Sequence, residues 1–502
     1  MLVNFQFILK IEKRGNKVPQ VAEKKSSLSA LFQKQIPESR LNRFLSELPS
    51  LDDNNLNYLA FSIQIPQIDP LAAIEQIPET NGFQYYWEKP VDDFAIAASG
   101  ELYRITTRGK NRFREASRKG KELINKIHHC SGINHQNAVI HLFGGFSFFD
   151  KNESKSWSGF KSSSFTLPEW TIIKEGKCTI LTICTKIKNF NEVHTNIERI
   201  LSQLEPITSA EAYVLNGKQQ SKSNFTVPDK TSAEYESWIN SVDIAKTNIS
   251  NGKFDKVVLA RKIDISLDYE VKDTHILNKL RNQYPDCYSF LIRQNEHASF
   301  LGSTPERLAS FTSEYVLTEG LAGSTSRGKT ASEDAVLEYD LLHNPKDLEE
   351  HEIVLEAIEE NLSYYSDDVK HPDQPSIKKL SNVQHLYTPI TAKIKEGVSR
   401  TEVLKTLHPT PAVGGFPRNE AVEFIKEYED FERGWYAAPF GWINAHGNGE
   451  FIVAIRSGLI MKDSVRFFAG CGIVKNSDPD KEWDETNLKF IPMLSTLEHA
   501  RS

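Results

Sequence analysis

The chain has 502 residues, 39% hydrophobic and 25% charged, with a formal net charge of -7. That length holds two average domains or one unusually large one. The balance of apolar and charged residues excludes a disordered chain and a strongly polarised one, and leaves every class of soluble enzyme open.

The opening segment, MLVNFQFILKIEKRG, alternates apolar and polar residues and soon carries charge, so it is expected to form a strand and lacks the apolar run of a signal peptide. No run of about 18 apolar residues is present, so no membrane association is expected. The basic stretch 108–126 (RGKNRFREASRKGKELINK) could neutralise phosphates, but in an acidic chain it is better explained as a solvated helix face, and no nucleic-acid partner is expected. Strands are expected at 138–149 and 178–187, and a helix at 191–204, an α+β texture that runs to about residue 215. Residues 216–232 are polar and include Pro228, as in a linker.

Beyond the linker a helix over 234–252, stopped by Gly252, leads into the strand FDKVVLARKIDISL. Further strands are expected in CYSFLIR, ASFLGSTPERLASF, EFIVAIRSGLIM and SVRFFAGCGIV. The fold class is therefore α+β, with large, mostly antiparallel sheets flanked by helices. Cys130, Cys178, Cys184, Cys287 and Cys471 are odd in number, scattered and without CxxC spacing, which argues against a disulfide framework or zinc site and fits a cytoplasmic protein.

Nucleotide, zinc-protease and hydrolase motifs are missing. What remains is a set of charged residues in apolar settings. Glu350 shares one face of the helix KDLEEHEIVLEAIEENL with Ile353, Val354 and Ala357, where a boundary glutamate with its head in water is the plainer explanation. In SDPDKEWDETNLKF, Asp478 is a candidate cap and Pro479 opens the first turn; Glu482, Glu485 and Lys489 then fall on one face. Two carboxylates at that spacing can reach one hard cation, or form a solvated stripe with a Glu485/Lys489 pair. Lys256 shares a strand face with Val258 and Ala260, and Glu306 follows Pro305 in an apolar segment; a place at a strand edge or end explains either one as simply. Burial of both would lower the lysine pKa and raise that of the glutamate, which suits a base and an acid near neutrality. Gly320, Gly323, Gly414, Gly415, Gly470 and Gly472 could let backbone N–H groups approach an anion, and Arg456, in the alternating strand FIVAIRSG, could clamp a carboxylate.

In order, FDKVVLAR, FLGSTPERL, LAGSTSRG, KDLEEHEIV, NVQHLYTPI, LHPTPAVGGFPR, FERGWYAAPFGWI, VAIRSG, FAGCGIV and SDPDKEWDET resemble the chorismate-utilising enzymes over residues 233–498. Within that family the likeness is greatest to the menaquinone-type isochorismate synthases, because Lys256 stands where anthranilate synthases usually carry glutamine. The resemblance implies the anthranilate synthase component I fold, with a catalytic domain at 233–498 against which an α+β region at 1–230 packs.

The resemblance further implies Mg²⁺-dependent conversion of chorismate to isochorismate, by water addition at C2 and loss of the C4 hydroxyl, in a monomer or homodimer that serves menaquinone biosynthesis. Lys256 would activate the water and Glu306 would protonate the departing hydroxyl. Glu350 and Glu485 would hold Mg²⁺ with Glu482 behind them, while Gly323, His385, Tyr436, Arg456, Gly472 and Lys489 would hold substrate. Cys471, Ala438 and Pro492 depart from the family pattern, and Pro492 is expected to interrupt the last helix. The alternatives are a salicylate synthase, an amine-forming anthranilate or aminodeoxychorismate synthase, and a noncatalytic chorismate-binding protein.

Overall fold

A computed structural model describes residues 27–49, 57–77, 82–210, 227–380 and 383–497. The strand expected at the start of the chain, and most of the 216–232 linker, lie outside these residues. The described strands belong to one network of 20. Its ladders are antiparallel except where Asn57–Ile65 runs parallel to Ile127–Ser131. Helices cover the sheet, so the expected α+β architecture is present.

Alternation along the strands divides the interior in two. Tyr58 and Ala60 enter one core cluster, while Leu59 and Phe61 enter the other. Phe290 and Ile292 separate in the same way from Leu291. Successive side chains point to opposite faces of a strand, and here both faces are buried. One cluster is rich in aromatic rings, among them Trp87, Phe143, Trp157, Trp435 and Phe440. The other is largely aliphatic and is closed by helices such as Asp273–Gln283 and Pro479–Leu497.

Ladders cross from the early to the late part of the chain. Gln84–Lys89 pairs with Tyr288–Arg293, and His141–Phe146 pairs with Pro439–Asn444. The basic stretch forms the helix Arg112–Ile124, in which Phe113, Ala116 and Leu123 are buried and exposed Arg118 bridges Glu115 and Glu122. All five cysteines are free. Among the described residues no helix is long and apolar enough to cross a membrane.

Three local expectations need correction. ASFLGSTPERLASF forms two strands, Ala298–Thr304 and Arg307–Phe311, because Pro305 has no N–H for the ladder. EFIVAIRSGLIM is likewise split into Gly449–Val453 and Ser457–Met461; Arg456 lies in the break with a left-handed φ of +50°. The last helix continues through Pro492, and the carbonyl that loses its donor belongs to the exposed residue Leu488.

Candidate active site

Lys256 opens the strand Lys256–Ser266, where it pairs with Phe416 on one side while Val258 pairs with Gly472 on the other. A Cβ on Gly472 would lie 2.8 Å from Lys256 Cε, so glycine leaves the channel along which the lysine stem runs. At its end, Lys256 Nζ donates to Glu350 Oε1 at 2.5 Å. Glu350 is carried by the helix Pro345–Ser363, which Asn344 caps by accepting from Lys346 N and Asp347 N. Val354 and Ala357 on its face are buried, and Glu350 keeps partial access to solvent. The helix start can approach the strand Tyr315–Ser326 closely because Gly323 occupies a bulge at φ +70°; a side chain there would meet Asp347 Cβ at 3.2 Å.

Glu306 sits in the first of the two strand breaks. Its N–H donates to Thr304 Oγ1 at 3.2 Å and its carbonyl accepts from Val453 N at 3.1 Å. The carboxyl is buried, and burial pushes its pKa up to about 7, assisted by Glu319 and opposed by Lys378, Thr410 and Arg456. A carboxylic acid of this kind is half protonated at neutral pH.

The C-terminal helix supplies a third group. Asp478 accepts from Asp480 N at 3.0 Å, as expected of its cap. Glu485 Oε1 accepts from Lys489 Nζ at 2.6 Å, and Lys489 also donates to Gly470 O at 2.9 Å. Glu482 is half-buried, and its pKa is raised first by that burial and then by the neighbouring charge of Glu485.

Arg456, Tyr436, Lys489 and Gly470 line one small cavity. Burial lowers the Arg456 pKa, with Tyr436 and Glu485 among the groups that raise it, and no acidic side chain among the described residues forms an ion pair with its guanidinium. The Tyr436 ring stacks on Phe468 at 5.0 Å. His385 accepts or donates at Ser324 Oγ over 2.6 Å, and burial followed by the charges of Arg456, Lys378 and Lys489 pushes its pKa down to about 4. The ring is therefore neutral beside these cations.

Among the described residues no three His, Cys, Asp or Glu side chains converge at metal-binding distance. Glu350 engages Lys256, and Glu485 engages Lys489. The groups expected to hold a metal would nonetheless all offer carboxylate oxygens, and the charge of Glu485 raises the pKa of its neighbour Glu482, an arrangement of the kind a hard dication would relieve.

Two ion pairs, one buried and one half-buried, escaped sequence reasoning. Arg433, fully buried, donates to Glu429, Val413 O and Val258 O, and Glu429 accepts from Ala260 N. This ties the Lys256 strand to the loop preceding Gly414. Glu429 and Arg433 stand in the charged stretch EDFER just past the end of a helix, where nothing in the local pattern signals burial. Glu319 and Lys378 are 2.8 Å apart beside Glu306, and no local pattern marks them.

The family described as "Chorismate binding enzyme" matches residues 43–498. The chain belongs to that family. As a member of the chorismate-binding enzymes it is 34% identical over 451 residues to isochorismate synthase MenF of Bacillus subtilis, covering 88% of this chain and 94% of that protein. It is 33% identical over 445 residues to the salicylate biosynthesis isochorismate synthase of Pseudomonas aeruginosa, covering 88% and 90%. MenF of Escherichia coli, a menaquinone-specific isochorismate synthase, superposes with a TM-score of 0.74 at 24% identity, covering 94% of this chain and all of that one, which speaks for a shared fold. The expected chorismate-binding fold and the expected likeness to isochorismate synthases are both borne out.

Proposed function

We propose that this protein is a Mg²⁺-dependent isochorismate synthase in which Lys256 and Glu306 are base and acid. The observation that carries the mechanism is the Glu306 carboxyl, buried and with its pKa pushed up to about 7, in the same charged neighbourhood as Arg456 and Lys378. An acid that retains its proton near neutrality can protonate a leaving hydroxyl.

In the proposed reaction, neutral Lys256 removes a proton from water as its oxygen bonds to C2 of chorismate. The ring double bonds shift from C1=C2 and C5=C6 to C1=C6 and C4=C5. The C4–O bond breaks, and the departing hydroxyl takes the Glu306 proton and leaves as water. The exchange of one water for another makes the product an isomer of the substrate. Arg456 and Lys489 would hold the carboxylates of the dianion, and Tyr436, His385, Gly323 and Gly472 would shape the ring site. Mg²⁺ bound by Glu350 and Glu485, with Glu482 behind them, would offset substrate negative charge. The likeness to the MenF enzymes supports a place in menaquinone synthesis, and the free cysteines support a cytoplasmic setting.

Purified protein incubated with chorismate and Mg²⁺ should yield isochorismate as the only new product by chromatography. Stoichiometric pyruvate with salicylate would replace this reading with a salicylate synthase. Product formed only with added ammonium would replace it with an amine-forming enzyme.

A further inference from the structure

Both neighbours of Glu306 in the chain are held by one ion pair, between buried Glu319 and half-buried Lys378. Lys378 Nζ lies 2.8 Å from Glu319 Oε1 and 3.4 Å from the carbonyl of Pro305. The same Glu319 oxygen accepts from Arg307 N at 3.3 Å. Glu319 stands on the strand Tyr315–Ser326 and Lys378 on Ser376–Lys379, and both strands flank Val383–Lys393. The Lys378 ammonium rests 5.2 Å from the centre of the Tyr387 ring. The Glu319 side chain is only 3% exposed, and Lys378 is the cation paired with it.

We infer that Glu319 and Lys378 are a pair of positioning residues that fix the Pro305–Glu306–Arg307 break and set the pH range over which Glu306 can donate its proton. This rests on the reading of Glu306 as the acid. The charged groups facing Glu306 are Glu319, Lys378 and Arg456, joined by the Thr410 hydroxyl at 3.5 Å. Cys287, near Lys378 and Arg456, remains a thiol because burial pushes its pKa up to about 11. The two members of the pair act on Glu306 with opposite signs: Glu319 favours the protonated form and Lys378 the ionised one. Neither needs to touch substrate for this effect.

The test compares Glu319→Gln, Lys378→Met, the double variant and Lys378→Arg in the full-length enzyme. It follows kcat against pH, together with the Glu306 carboxyl signal in carbon-13 NMR of substrate-free protein, assigned with Glu306→Gln. Glu319→Gln should move the alkaline limb and the carboxyl titration down by roughly one pH unit, and Lys378→Met should move both up by a similar amount. The double variant should return them towards the starting position, and Lys378→Arg should leave them in place. Movement of both single variants in one direction, or of neither, overturns the proposal, since lost packing alone cannot give opposite signs. If Lys378→Met fails to fold, Glu319→Gln alone decides by the sign of its movement. Opposite NMR movements combined with full turnover in Glu306→Gln would uphold the pair and reject Glu306 as the acid.

Discussion

Lys256 Nζ and Glu350 Oε1 are 2.5 Å apart, so the proposed base and a proposed metal ligand neutralise one another. An ammonium group cannot accept a proton, and a carboxylate engaged with it offers less charge to a cation. The two roles require this pair to loosen when substrate and Mg²⁺ are bound. Lys256→Ala should lower kcat by roughly 10²–10⁴ and, by freeing Glu350 from its ammonium partner, should lower rather than raise the Mg²⁺ concentration that gives half the maximal rate. Glu350→Gln should raise the Mg²⁺ concentration that gives half the maximal rate. A Glu350→Gln enzyme saturating at the wild-type concentration would remove Glu350 from the metal site.

Turnover should depend on the protonated form of Glu306. Its pKa of about 7 in the folded protein lies above the ordinary carboxylate value. The acid form is complete well below pH 7 and is lost as pH rises through it, so kcat should fall on the alkaline side. Glu306→Gln should abolish that limb together with most of the rate. A limb that survives unchanged in whatever activity remains would assign it to another group.

Gly472→Ala tests the channel for the lysine. The new methyl would be 2.8 Å from Lys256 Cε, the end of a flexible side chain that can move aside without disturbing the sheet. Thermal stability should therefore change little while kcat falls at least tenfold. Equal losses of stability and rate would show that the strand itself had been displaced.

Arg433→Leu should be among the most destabilising single substitutions. It would leave Glu429 buried without its guanidinium partner, a change that typically costs about 3–5 kcal/mol. Urea unfolding of Arg433→Leu and of the double variant with Glu429→Gln provides the comparison. The double variant should recover a large share of the loss.

His408 should contribute to acid sensitivity. Burial, followed by Arg112, pushes its pKa down to about 3, and its Nε2 contacts the Phe148 carbonyl at 3.1 Å. The unfolded chain binds a proton below about 6.5 while the folded protein resists it. The stability from neutral His408 is thus full above about 6.5 and declines as pH falls towards 3. His408→Gln cannot take up that proton, so the wild-type melting temperature should drop relative to the variant between pH 6.5 and 4. A constant difference across that range would count against the buried neutral ring.

The sequence made Lys256, Glu306, Glu350 and Glu485 legible as members of an ordered set, and helical spacing alone aligned Glu482, Glu485 and Lys489. It was less informative about the backbone beneath them. Arg456 reads as part of one continuous strand, and Glu306 as either inside a strand or at its end, because apolar residues continue around both; both occupy breaks. With both sheet faces buried, the period of two is hidden in long apolar runs. The Glu319–Lys378 pair depends on how Tyr315–Ser326 and Ser376–Lys379 register against a shared neighbour, and nothing near either residue encodes that register. Arg433 was present in a recognised segment, but its importance comes from carbonyls contributed by Val258 and Val413.

The ladders that join the early strands to the late ones also set an order of events during synthesis. Phe143 must await Trp442, and the Lys256 strand must await both Phe416 and the Ser464–Ile473 strand. Contacts so distant along the chain carry a high entropic cost before they are rewarded, and they make folding slow. Apolar strands made early would remain without their final neighbours until the last third of the polypeptide emerges. Newly made chains should therefore need chaperone protection until translation is nearly finished, and activity should appear late and abruptly as the helix bearing Glu485 docks.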